Sequence, residues 1–158
     1  MMKIISDSSA NISALEGVCF QSIPMTIRAG EREFVDDGTL DTAKMLDYLA
    51  SYNGKSGTAC PGLDAWLQAF SGADEIFVVT ITGALSGTCA SAAAARDLYL
   101  QSHPEAKIHV FDSLSTGPEM LLLIEKLADL IREGKSFDEI CKAGQDYLAS
   151  THLLFILR

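Results

Sequence analysis

Basic residues are scarce in this chain. Lys and Arg number 12 against 21 Asp and Glu, which leaves a formal net charge of −9. Such an acidic balance is poorly matched to phosphate backbones and anionic lipid, so nucleic-acid binding is disfavoured. Cysteine is sparse as well: Cys19, Cys60, Cys89 and Cys141 include no CxxC pair. A chain of 158 residues buries roughly 70% of its unfolded surface and needs no covalent staples, so these scattered thiols are expected to be reduced. Long apolar runs are also missing. The opening stretch Met1-Met2-Lys3-Ile4-Ile5 falls short of the about 7–15 apolar residues of a signal-peptide core. The run from Met120 to Ile124 ends at Glu125, whereas a membrane-spanning helix needs about 20 residues. The expectation is a soluble, cytoplasmic protein with no membrane span. Neither GxGxxG nor GxxxxGK[ST] occurs, which argues against nucleotide binding by those loops. His103, His109 and His152 show no metal-ligand spacing, and neither a metal nor another cofactor is expected. Internal repeats and low-complexity segments are lacking too.

Apolar residues at 48% and charged residues at 21% place the chain among globular domains, and its length fits one domain over residues 1–158. Short apolar strands are expected at 3–6, 18–23, 75–80 and 107–111, with a hairpin formed by 25–28 and Phe34-Val35. The 75–80 segment is apolar throughout, as strands covered on both faces are. Helices are expected between them. One is capped by Asp41 or Thr42 and buries Met45, Leu46 and Leu49. Another carries Leu63, Trp66, Leu67 and Phe70 on one stripe and stops at Gly72. A third runs over 89–100 with the small residues Ala92 to Ala95. Pro118 and Glu119 open a fourth, closed by Gly134, and Ser136 with Glu139 forms a capping box for a fifth. Residues 152–157 give a last strand. Strands alternating with helices predict an α/β fold with a mainly parallel sheet flanked by helices. A chain that stops in an apolar strand is expected to be one lobe of a longer protein.

In open α/β sheets, ligands sit at the carboxyl ends of the strands. The loops expected there are Asp7-Ser8-Ser9, residues 82–88, and Asp112-Ser113-Leu114-Ser115-Thr116, all rich in hydroxyls. Thr58 is expected in a comparable loop between helices. No His or Lys stands in these loops, so no general base is evident. Ser86 can cap the helix that follows it, and Gly87 permits close approach to amides that favour an anion. The alternative is an ordinary capped helix. Asp7 is either a loop-forming residue or a polar group at the site. Asp36-Asp37 suits a turn better than a cation site, because adjacent side chains point apart.

Several segments, in order, resemble the DegV family. Ile4-Ile5-Ser6-Asp7-Ser8 is similar to its opening strand and Asp-Ser turn. Ile23-Pro24-Met25-Thr26 and Phe34-Val35-Asp36-Asp37-Gly38 resemble its hairpin and Asp-Asp segment. Thr58-Ala59-Cys60-Pro61-Gly62 stands where the family has Thr-Ser-x-Pro-Ser, and Leu85-Ser86-Gly87-Thr88 matches its Leu-Ser-Gly-Thr. Phe111-Asp112-Ser113 matches its strand-end Asp-Ser.

The resemblance implies a non-enzymatic, two-lobed protein that binds a long-chain fatty acid and, as a carrier, presents it to a fatty-acid kinase. It implies carboxylate contacts from Thr58 and Ser86, with a backbone N–H from Gly87. Asp7, Ser8, Thr82, Thr88 and Ser113 are the further residues expected to line the site. Ala59 and Gly62 depart from the family's serines, which removes hydrogen-bond donors near the head group. The second lobe, implied to supply much of the acyl tunnel, lies outside these residues. The rival expectation is an enzyme or a small polar-ligand domain. It follows from the likeness of such lobes to the substrate domains of dihydroxyacetone kinases, which use a reactive histidine.

Overall fold

A computed structural model describes residues 1–152. Its first strand, β1 (Met2–Asp7), is followed by a single 3-10 turn at Ser8–Ala10 and by β2 (Cys19–Ile23). A small antiparallel unit comes next: β3 (Thr26–Ala29) and β4 (Arg32–Val35), then helix α1 (Thr42–Ser51) and β5 (Ser56–Ala59). The rest alternates: α2 (Leu63–Phe70), β6 (Glu75–Thr80), α3 (Thr88–Ser102), β7 (Lys107–Asp112), α4 (Pro118–Arg132) and α5 (Phe137–Leu148).

The main sheet has the order β2-β1-β6-β7, and every pairing in it is parallel. The fold class expected from the sequence is therefore the fold observed. Period-two alternation splits each central strand between two cores. Ile4, Phe77, Val79 and Phe111 face α4 and α5, where Met120, Leu123, Ile124, Leu127 and Ile140 are fully buried. Ile5, Ile76, Val78 and Ile108 face α2 and α3, against Trp66, Phe70, Ala92 and Ala95. Two of the four small residues of α3 thus seat it closely on the sheet.

Gly144 of α5 packs against the first core with no room for a side chain. A Cβ there would stand 2.8 Å from Phe111 Cε1 and Cζ and 2.9 Å from Leu127 Cδ2. Gly144→Val is expected to lower stability by about 2 kcal/mol through overpacking, read as a lower thermal midpoint. An unchanged midpoint would mean that α5 can shift outward without loss.

The second sheet, β4-β3-β5, is antiparallel throughout. Gly30, at φ +62°, makes the tight β3–β4 turn that a side chain would strain. Here the structure corrects the sequence in two places. Thr58 lies on β5, paired with Ile27 of β3, and not in a loop between helices. Ser-Gly-Thr-Ala carries little strand propensity of its own, so tertiary pairing decides the conformation. On α1, Asp41 caps the helix through Lys44 N at 3.1 Å, as expected. Met45 is buried and Leu49 half-buried, but Leu46 is exposed. The helix leans on the small sheet through Tyr48 instead. That ring packs 5.6 Å from Phe34, lies under the Arg32 guanidinium at 4.4 Å, and its hydroxyl donates to Ala29 O at 3.3 Å. The α2 stripe buries Trp66 and Phe70, while Leu63 at its start is exposed. Glu139 accepts the N–H of Ser136 at 2.9 Å, completing the α5 capping box. The strand expected at 152–157 lies outside the described residues except for His152.

Candidate functional site

All strands of the main sheet end on one edge, at Asp7, Ile23, Thr80 and Asp112. The chain leaves β1 for β2 on one side and β6 for β7 on the other, so the switch point lies between β1 and β6. Asp7 fills that crevice. Its Oδ2 accepts the N–H of Ile81 at 2.8 Å, and its Oδ1 accepts the N–H of Ser9 at 3.1 Å and the Ser9 hydroxyl. The side chain is fully buried. Burial pushes its carboxyl above the usual range, against the opposing pull of its hydrogen bonds to Ser9 and Ile81. Asp7 is therefore a tie between two strand ends rather than an open contact.

Most of the other hydroxyls expected at the site are engaged in the same way. Ser8 is buried, and its Oγ accepts the N–H of Met25 at 3.1 Å, fixing the entry to the small sheet. Ser8 also lines a cavity of about 280 Å³ with Asn11, Ser22, Pro24, Asp36 and Asp37. Asp37 closes a turn by accepting the N–H of Thr39 at 2.9 Å and its hydroxyl at 2.8 Å, bonds that hold its carboxyl below the ordinary value. Thr82 is buried and organises the β6–α3 loop: its N–H donates to Ser115 O at 2.9 Å, and its carbonyl accepts from Leu85 at 3.1 Å and Ser86 at 3.2 Å. Ser113 is buried and donates to Ser115 O at 3.0 Å. Thr88 is fully buried at the first turn of α3.

Three of the expected groups remain open. Thr58 is exposed on β5. Gly87, also exposed, is the N-cap of α3, and its N–H has no acceptor among the described residues. Ser86 stands half-buried one position earlier. The sequence places Ser86 at the cap itself, which the structure corrects: the helix starts at Thr88, and Gly87 offers no side chain. Ser86 Oγ instead accepts the N–H of Thr88 at 3.3 Å and lies 2.8 Å from Thr88 Oγ1. With Thr88 donating, the Ser86 hydroxyl keeps its own proton for an acceptor outside. The first N–H groups of a helix have no intrahelical partner, and the helix dipole adds partial positive charge.

The segment following Thr58 is held against this helix start. Ser91 Oγ of α3 donates to Pro61 O at 2.9 Å, and Cys60 Sγ lies 3.7 Å from the position of a Cβ on Gly87. The two sequence motifs around Thr58 and Ser86 thus meet, although 28 positions separate them in the chain. Their combined chemistry is hydroxyl and amide donation without a full positive charge, suited to one carboxylate or similar anion. Leu85, next to Ser86 in the chain, and Leu114 on the β7–α4 loop stand exposed. All four cysteines are free.

His103 and His109 are placed away from this donor set. His103 ends α3 and stacks on Tyr99 at 4.0 Å. His109 sits within β7, its pKa lowered by burial and by Arg96. His152, expected from the sequence to begin the last strand, lines a cavity of about 350 Å³ with Leu114, Glu119, Leu148, Ala149 and Thr151. No described helix is long and apolar enough to cross a membrane.

Comparison with known proteins places these features in context. The family model described as "Uncharacterised protein, DegV family" matches residues 1–158. A DegV domain-containing protein of Streptococcus pneumoniae is 46% identical over 98% of this chain and 57% of its own length. Among solved structures, a DegV family protein from Eubacterium eligens loaded with heptadecanoic acid superposes with a TM-score of 0.92 at 51% identity, covering 94% of this chain and 54% of that one. The Streptococcus pneumoniae Fatty Acid Kinase (Fak) B3 protein loaded with linoleic acid gives 0.89 at 45% identity, with the same 94% and 54% coverage. The chain therefore spans about half the length of the relatives it matches.

Proposed function

The chain belongs to the DegV family, and from that membership and the donor set at the head of α3 we propose that it forms one wall of a fatty-acid site in a non-enzymatic carrier. The carboxylate accepts from Thr58 Oγ1, Ser86 Oγ and the Gly87 N–H, and the α3 dipole faces its charge. The observation that carries this reading is the packing of the segment just after exposed Thr58 on the start of α3, through the Ser91–Pro61 bond and the Cys60–Gly87 contact. Leu85 and Leu114 give the acyl chain apolar surface next to the head group. Each buried methylene contributes about 0.8 kcal/mol, so a tail of about 16 carbons supplies roughly 10 kcal/mol before ordering costs, most of it from walls beyond this lobe. Likeness to proteins loaded with fatty acids supports the ligand class. Likeness to the pneumococcal Fatty Acid Kinase (Fak) B3 protein supports delivery of the bound acid to a kinase. The side chains offer hydrogen-bond donation rather than proton abstraction, which favours a carrier over an enzyme.

Amide spectra of the isotope-labelled chain during titration with sodium decanoate, kept below its micelle concentration, test this. The expected result is a saturable shift at Gly87, Cys89 and Thr58 that decanol does not reproduce. Equal shifts with decanol, or none at these amides, would overturn the head-group assignment.

A further inference from the structure

We propose that Asp112 is a positioning residue for the anion cradle, setting the height of the loop that carries Ser86 and Gly87. The inference rests on the reading of that cradle given above. Asp112 closes β7 and stands half-buried between two loops. Its Oδ1 accepts the N–H of Gly83 at 3.1 Å and that of Leu114 at 3.0 Å, and its Oδ2 accepts Gly83 again at 3.2 Å. One carboxylate thereby joins the β6–α3 loop to the β7–α4 loop.

From Gly83 onward the first of these loops winds on Thr82. Leu85 and Ser86 both donate their N–H groups to the Thr82 carbonyl, and Ala84 donates to Thr82 Oγ1 at 3.3 Å. Residues 82–86 therefore form one tight turn with two anchors on the neighbouring loop, Thr82 N to Ser115 O and Gly83 N to Asp112. Movement of the Gly83 anchor carries Ser86 with it. The fit leaves little room: a Cβ on Gly83 would stand 3.0 Å from Asp112 Oδ2. On the other side, Leu114 is held at φ +53°, a conformation that a leucine adopts only where its surroundings impose it. A carboxylate this near an anion cradle opposes binding through its charge, so its contribution is geometric.

The test compares Asp112→Ala, Asp112→Asn and Gly83→Ala. Spectra without ligand come first. Asp112→Ala is expected to displace the Gly87 and Cys89 amide resonances. Asp112→Asn is expected to return them toward wild type, because Oδ1 alone accepts from both Gly83 and Leu114. Decanoate affinity is expected to fall about tenfold in Asp112→Ala and Gly83→Ala, where the anchor on Gly83 is lost or displaced, and to stay within about threefold in Asp112→Asn, where a neutral acceptor oxygen keeps it. Unmoved Gly87 and Cys89 resonances in Asp112→Ala would overturn the proposal. So would an Asn variant as impaired as the Ala variant. Should wild-type protein show no decanoate-specific shift, the fatty-acid reading fails by itself, and the ligand-free spectra still decide the role of Asp112.

Discussion

Asp7→Ala is expected to destabilise the fold by about 3 kcal/mol, with Asp7→Asn in between. Alanine leaves the N–H groups of Ile81 and Ser9 without their acceptor in a crevice from which water is excluded. Each such orphan costs about 1–3 kcal/mol, and the vacated volume adds to it. Relief from burying a charge offsets part of this. Asparagine keeps one acceptor oxygen but turns an amide toward the second donor. The pH dependence has a definite sign. Burial raises the Asp7 pKa above the ordinary value of 3.8, so the native state binds its proton more tightly than the unfolded chain does. That contribution to stability is fully present below the unfolded pKa and is lost as pH rises through the native one. Wild type is therefore expected to gain on Asp7→Asn as pH falls from neutrality, in urea melts at several pH values. A gap that stays constant, or that widens against wild type on acidification, would mean that the hydrogen bonds from Ser9 and Ile81 outweigh burial.

The second large effect falls on ligand binding. Thr58→Val with Ser86→Ala removes both hydroxyls from the proposed cradle and keeps the shape of Thr58. Hydrogen bonds to a charged group contribute about 1.5–3 kcal/mol each, so the pair is expected to weaken carboxylate binding by about 3 kcal/mol, on the order of a hundredfold. Stability is expected to change by less than about 1 kcal/mol, since Thr58 is exposed and Ser86 is not the cap of α3. Decanoate titration and thermal melting of the same samples separate the two effects. Undiminished binding would remove Thr58 and Ser86 from the head-group site. A collapse in stability would mean that the Ser86 bonds to Thr88 hold up the start of the helix.

The α/β fold was legible because its central strands carry local signals. Residues 75–80 are apolar throughout, Pro118 and Glu119 mark a helix start, and Ser136 with Glu139 marks another. β5 was not legible, because Ser56–Ala59 becomes a strand only by pairing with β3. The exposed Leu46 had the same cause: the face that α1 buries is chosen by the hairpin it meets, not by its own periodicity. At the site, the hydroxyl-rich loops were visible in the sequence, but their division of labour was not. Asp7, Ser8, Thr82, Thr88 and Ser113 are as polar as Thr58 and Ser86, yet they are buried and occupied in holding loops together. Burial in the folded chain, with bonds such as Asp7 to Ile81 across 74 positions, distinguishes a supporting group from an open one. Asp112 shows the same limit: its match to a family motif was evident, whereas its bridge between two loops depends on the parallel neighbours β6 and β7.

The most direct test of the central claim is a crystal structure of the chain, or of a protein of its relatives' length that contains it, with a long-chain fatty acid bound. The account predicts the carboxylate within hydrogen-bond distance of Thr58 Oγ1, Ser86 Oγ and the Gly87 N–H, with the first methylenes passing toward Leu85 and Leu114. A carboxylate seated elsewhere, such as in the cavity beside Ser8, Asp36 and Asp37, with the head of α3 left to solvent, would contradict it.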